Sequence, residues 1–183
     1  GKSGNYLSLK DLSLVDKLKE LEKMGVTSVK IEGRMKSAYY TAAITNAYKI
    51  ALDDYFAGKG FDEGCLRETE SVSHREYGTG YFYSSPSTDA NTVTVNEYIA
   101  DRPFYATVTE FDPEKKLAKC FQRNKMRVGE TANLLSPGHF GKDFVIGNMF
   151  DEEMNPIDST PHAGMVFYLE IDSASSGDII RGA

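Results

Sequence analysis

The sequence has no tryptophan, only two cysteines and only three histidines in 183 residues. Each scarcity argues against a class of chemistry. Cys65 and Cys120 stand far apart and outside any Cys-x-x-Cys spacing, which argues against a disulfide framework and fits a reducing cytoplasm. His74, His139 and His162 lack metal-ligand spacing, so no zinc or iron–sulfur site is expected from this chain alone. No apolar run approaches the roughly 20 residues of a bilayer span, and no signal-peptide pattern is present; a cytoplasmic protein with no membrane partner is the expectation. Positive charge is also short: 21 Lys and Arg face 27 Asp and Glu, for a net charge of -6 and a pI near 5.1. That balance argues against a general nucleic-acid binder but leaves room for a local basic patch.

What is present falls into two styles. Ser13 to Met24 repeats Leu14, Leu18 and Leu21 at helical spacing, and Gly25 is placed to end the helix in a left-handed cap. Thr27 to Ile31 predicts a short strand. Ser37 is a natural N-cap for a helix running to about Phe56, with Tyr40, Ala43, Ala47, Tyr48, Ala51, Leu52 and Tyr55 inward. Asp62 to Val72 predicts a further short helix. Gly, Ser, Thr, Asn and Tyr then dominate, which predicts an extended linker with some strand character over 77–100. Beyond Asp101 the pattern is all β. Phe104 to Phe111 and Lys116 to Gln122 flank the turn sequence Asp-Pro-Glu-Lys and predict a hairpin. Glu130 to Leu135, Asp143 to Phe150 and Met165 to Ile171 complete a small barrel. The fold class is therefore α+β: helix-strand-helix-helix over 1–76, a linker over 77–100, and an all-β barrel over 101–183. A lone parallel-type strand needs neighbours. The first segment is accordingly expected to be the end of an α/β domain whose other part precedes it, with strand 27–31 pairing to a second copy of the chain.

Four motifs invite chemistry. Gly1-Lys2-Ser3 matches only the end of a phosphate-binding loop, and the residues after Ser3 lack the pattern of an apolar helix, so it is read as a chance match. In "KIEGRMK", Lys30 and Glu32 share one strand face, and Glu32, Arg34 and Lys36 would stand at the carboxyl end of the strand, where barrel enzymes place their sites. Arg34 suits a carboxylate or phosphate. The alternative is an ion pair that only fixes the loop. In "SHREYGTGYFY", His74 and Arg75 have no visible catalytic partner and are read as ligands of helix-end carbonyls. Finally, Lys115, Lys116, Lys119, Arg123, Lys125 and Arg127 form a run without an acid, with Phe121 inside it. Such a run is either an RNA or partner surface with a stacking aromatic or the solvated face of a hairpin, the commoner case.

"KIEGRMKSAYY" and "SHREYGTGYFY", with "QRNKMRVGE", "NMFDEEMNPI", "TPHAG" and "GDIIR" in order behind them, resemble the carboxyl-terminal part of the collagenase-like proteases, peptidase family U, number 32. The resemblance implies an amino-terminal (β/α)-barrel-like catalytic domain, of which 1–76 would be the carboxyl-terminal remnant, followed by a small β-barrel similar to the second domain of translation elongation factors. It also implies relatives that hydroxylate tRNA uridines, ribosomal RNA or quinone precursors, with an iron–sulfur cluster on four cysteines and, for RNA, prephenate. The cysteine-bearing signature is absent here, so the cluster belongs to the amino-terminal domain and no cofactor or metal is expected in this segment. Three functions compete: a peptidase whose β-barrel binds substrate or partner, an RNA-hydroxylation factor, and a non-catalytic interaction module. Partners would be the amino-terminal catalytic domain and a protein or RNA substrate.

Overall fold

In the computed structural model, which describes residues 8–93, 98–99 and 102–183, the chain divides between Asp101 and Arg102 into two units. The first carries β1 (Asp11–Leu12), a 3-10 turn at Val15–Lys17, α1 (Leu18–Lys23), α2 (Ala38–Phe56), α3 (Gly64–Glu70) and β2 (Tyr77–Gly78). The helix expected from Ser13 is present from Val15, and Gly25 ends it at φ 85°. Ser37 caps α2: its Oγ accepts from the Tyr40 N–H at 3.2 Å, satisfying one of the helix's orphan donors. Ala43, Ala47 and Ala51 fall four residues apart on one face of α2, and their small side chains are buried. Cys65 of α3, Val15, Leu18 and Val72 are buried in the same unit. Tyr39 and Ile44 join the buried face, whereas Tyr40 and Tyr48, expected there, are half-buried and line a cleft.

Two larger changes concern the segments 27–31 and 77–100. Thr27 to Ile31 forms no strand; Thr27–Lys30 are exposed, with Val29 44% accessible. A strand is stabilised by hydrogen bonds to a neighbour, and none of the described residues runs alongside this one. The segment therefore presents no preformed edge to a second copy. The described part of 77–100 is bound back to its own unit. β2 pairs in parallel with β1, Asp11 opposite Tyr77 and Leu12 opposite Gly78. Lys10 N–H donates to Asn91 O at 2.9 Å, Val93 N–H to Ser8 O at 2.9 Å, and Ile99 N–H to His74 O at 2.7 Å. Residues 94–97 and 100 of this stretch lie outside the described set, as does the Gly1-Lys2-Ser3 motif.

The second unit is one antiparallel sheet of eight strands: β3 (Phe104–Asp112), β4 (Leu117–Gln122), β5 (Thr131–Leu135), β6 (Lys142–Val145), β7 (Met149–Phe150), β8 (Pro156–Ile157), β9 (Val166–Glu170) and β10 (Ile179–Gly182). Their spatial order is β6-β5-β10-β3-β4-β9-β7-β8, curled into a half-barrel whose end strands do not pair with each other. The expected 104–122 hairpin forms, and Asp112 Oδ1 holds its turn by accepting from Glu114 and Lys115 N–H at 3.0 and 3.1 Å. The single strand expected over 143–150 is two, β6 and β7, interrupted near Gly147. β10, which periodicity does not reveal, sits between β5 and β3. Alternate residues of β4 and β9 (Ala118, Cys120, Phe167, Leu169) enter a core with Val108, Met126, Ile146, Met149 and Ile180.

Candidate functional site

The first unit's cleft, about 760 Å³, is organised by Asp11. The β1–β2 register brings Arg75 to it. Arg75 donates from its backbone N–H to Asp11 Oδ2 at 3.0 Å, and from Nε and Nη2 to Oδ1 at 3.0 and 2.8 Å. Lys36 Nζ lies 3.9 Å from Asp11 Oδ2, donates to Ser73 O at 2.7 Å, and stands 5.1 Å from the Tyr40 ring centre and 4.8 Å from that of Tyr98. Burial acts to raise the Asp11 carboxyl, but the Arg75 hydrogen bonds, and then the charges of Arg75 and Lys36, hold it below the ordinary carboxylate range. Burial, followed by the nearby Asp11 charge, pushes the Tyr40 phenol up; burial, followed by Tyr40 and Asp11, pushes Tyr77 up further, and its hydroxyl donates to Thr69 O at 2.7 Å. The cleft thus offers the Tyr40 phenol beside a fixed carboxylate–guanidinium pair.

Glu32, Arg34 and Lys36 all line this cleft, though in different states. Lys36 is committed to Ser73 and Asp11. Glu32 faces Lys30 across an exposed 3.3 Å pair and accepts from the Arg34 N–H at 3.3 Å. The Arg34 guanidinium is exposed and makes no ion pair or side-chain hydrogen bond among the described residues. Sequence reasoning missed Asp11 and misassigned Arg75. Arg75 does not cap a helix; it binds a carboxylate 64 residues away, which no local spacing signals. His74 is also not a helix cap. Its Nδ1 lies 2.6 Å from Arg75 O, its ring stacks on Tyr77 at 4.2 Å and 7°, and buried Nε2 has no hydrogen-bond partner among the described residues.

In the second unit the basic run divides. Lys115 meets Asp112 at 3.4 Å, Lys116 meets Asp172 at 2.8 Å, Lys119 meets Glu110 at 3.3 Å and Arg127 meets Glu130 at 3.6 Å. The acids missing from the run come from neighbouring strands and turns. Arg123 and Lys125 are exposed and have no carboxylate within ion-pair distance among the described residues. Phe121 lies on the outer face of β4, since Cys120 and Gln122 on either side are buried, and Arg123 sits 4.8 Å from its ring centre and 5.8 Å from that of Phe104.

A four-cysteine iron–sulfur cluster does not fit these residues. The two cysteines belong to different units, both are buried, and burial pushes their thiols up, Cys65 to about 11 and Cys120 to about 12. No group of three or more His, Cys, Asp or Glu among the described residues could hold a metal ion. No described helix is long and apolar enough to cross a membrane.

Known proteins resemble the chain through both units. It is 34% identical over 172 residues to tRNA hydroxylation protein P of Escherichia coli (strain K12), covering 92% of this chain and 37% of that protein. It is 25% identical over 169 residues to tRNA hydroxylation protein P1 of Bacillus subtilis (strain 168), covering 91% and 40% respectively. An uncharacterized protease of Methanocaldococcus jannaschii is 37% identical over 83 residues, covering 44% of this chain and 20% of that protein. The chain thus spans about two fifths of the length of the tRNA hydroxylation proteins it matches. Among solved structures, the C-terminal domain of a Geobacillus thermoleovorans protein described as a U32 peptidase aligns at TM-score 0.41 and 25% identity, covering 43% of this chain and 96% of that one. Residues 1–92 match Peptidase family U32 and residues 101–181 match the Peptidase family U32 C-terminal domain, so the chain belongs to peptidase family U32.

Proposed function

We propose that this chain is the carboxyl-terminal part of a protein that takes part in tRNA hydroxylation, with the second unit binding and positioning the RNA. The observation that supports this best is continuity. Relatives named tRNA hydroxylation proteins align over 92%, 93% and 91% of the chain, through both units. The protease reading has the family label and one alignment of 83 residues in its favour. Within this chain, both thiols are buried with raised pKa, and the His74 ring has no hydroxyl, thiol or carboxylate bonded to it among the described residues. In this reading the exposed Arg34 guanidinium holds a carboxylate of a small co-substrate such as prephenate, Glu32 and Lys36 set the loop around it, and any iron–sulfur cluster belongs to the remainder of the parent.

The test is made in cells. Deleting the gene for the full-length protein should remove hydroxylated uridine from tRNA digests analysed by mass spectrometry, and the full-length protein should restore it. A version lacking 102–183 should restore it poorly. Unchanged tRNA in the deletion strain would refute the reading.

A further inference from the structure

The segment Arg123–Arg127 is a displayed and fastened loop. Arg123 and Asn124 N–H both donate to Tyr105 O, at 2.7 and 3.1 Å, and Asn124 Nδ2 donates to Phe104 O at 2.6 Å. Met126 is fully buried and is bonded in both directions to Thr160: its N–H donates to Thr160 Oγ1 at 3.1 Å, and Thr160 N–H donates to Met126 O at 3.1 Å. Gln122, immediately before, reaches Thr160 O through Nε2 at 3.2 Å and accepts from Gly164 N–H at 3.0 Å. Arg123 and Lys125, two residues apart, are thus held outward on a backbone anchored on both sides. Gly164 lies beside Phe121; a Cβ there would stand 3.6 Å from its Cζ, in van der Waals contact with the ring, and Phe121 is half-buried.

These features belong together. Of the cations in the run 115–127, the two that have no carboxylate within ion-pair distance among the described residues, Arg123 and Lys125, both lie on the anchored loop, next to the outward aromatic. We propose that Phe121, Arg123 and Lys125 form a contact for one unpaired nucleotide of RNA and its phosphates. The base stacks on the Arg123–Phe121 pair, and Arg123 and Lys125 meet the backbone. Stacking needs a flat, partly exposed surface, and a guanidinium held over an aromatic ring supplies one with positive charge. Fixing the loop in advance removes the ordering cost that a mobile lysine or arginine would incur on binding. The paired cations Lys115, Lys116, Lys119 and Arg127 contribute less, because their charge is already opposed. This inference rests on the RNA-binding reading of the second unit and narrows it to one site.

The experiment uses the full 183-residue chain and a fluorescent single-stranded RNA oligonucleotide, with a duplex RNA of equal length as comparison. Arg123→Lys keeps the charge and removes the flat guanidinium; Phe121→Leu keeps apolar packing and removes the ring. Each should weaken single-strand binding by about fivefold or more, with circular dichroism unchanged. Lys125→Ala should leave stacking intact and reduce the salt slope of log K by about 0.7. Equal affinity for duplex and single strand, equal competition by polyglutamate, or wild-type affinity in Arg123→Lys and Phe121→Leu would each overturn the proposal. Loss of tRNA hydroxylation on gene deletion, together with unaltered binding by these variants, would refute this site while leaving the broader function standing.

Discussion

Replacing Asp11 with asparagine keeps the shape of the side chain and removes its charge. Arg75 directs its backbone N–H, Nε and Nη2 at this carboxylate within 3.0 Å, and Lys36 adds its charge at 3.9 Å. Hydrogen bonds to charged groups contribute about 1.5–3 kcal/mol each when shielded, but the Arg75 side chain is 35% exposed and solvent screens it. About 2 kcal/mol is therefore expected for Asp11→Asn at pH 7. The pH dependence fixes the cause. The folded carboxyl titrates below its ordinary value of 3.8, so its contribution is fully present above that value and is lost as pH falls through the folded pKa. Urea denaturation of both proteins, followed by circular dichroism at several pH values, should show a stability gap near pH 7 that narrows below about pH 4. A gap that is absent at pH 7, or as wide at pH 3 as at pH 7, would refute the electrostatic account of this cluster.

Particular atoms set three further outcomes. A Cβ at Gly141 would fall 1.8 Å from Asn133 Oδ1, which accepts from buried Arg181 Nε at 2.7 Å; Gly141→Ala should cost about 2 kcal/mol or more and lower the Tm of the second unit measured by calorimetry. Cys65 and Cys120 should resist a thiol reagent such as dithionitrobenzoate at pH 8 in native protein and react promptly in denaturant, because their buried thiols are raised to about 11 and about 12. Ser37→Ala should destabilise the first unit by about 1 kcal/mol in denaturation, through loss of the α2 cap.

What was legible in the sequence was what is decided locally. The N-cap at Ser37, the stop at Gly25 and the Asp112 turn each depend on contacts within a few residues, and each is where the pattern puts it. What was illegible depends on distant partners. Thr27 to Ile31 has strand-forming side chains but, among the described residues, no neighbour to bond. β10 is four residues, all buried, with Arg181 among them, so it lacks the alternation that marks a half-buried strand. Glu32, Arg34 and Lys36 could be picked as a charged cluster, yet the carboxylate that organises the cleft, Asp11, lies in a two-residue strand defined only by its pairing with Tyr77 and Gly78. The basic run was visible as charge; its division into opposed and unopposed cations needed the cross-strand acids.

The position of β10 has a consequence for how the second unit is made. In the chain it follows the other seven strands of this sheet, yet it joins β5 to β3 within the sheet. As the polypeptide leaves the ribosome, β3, β4, β9, β7 and β8 can assemble on one side and β5 with β6 on the other, but the two parts have no strand between them until 179–182 emerges. Until then β3 and β5 each present an open backbone edge to any other nascent chain. Completion of the unit thus waits on its last strand, and a chain ending before Ile179 would lack the element that joins β5 to β3.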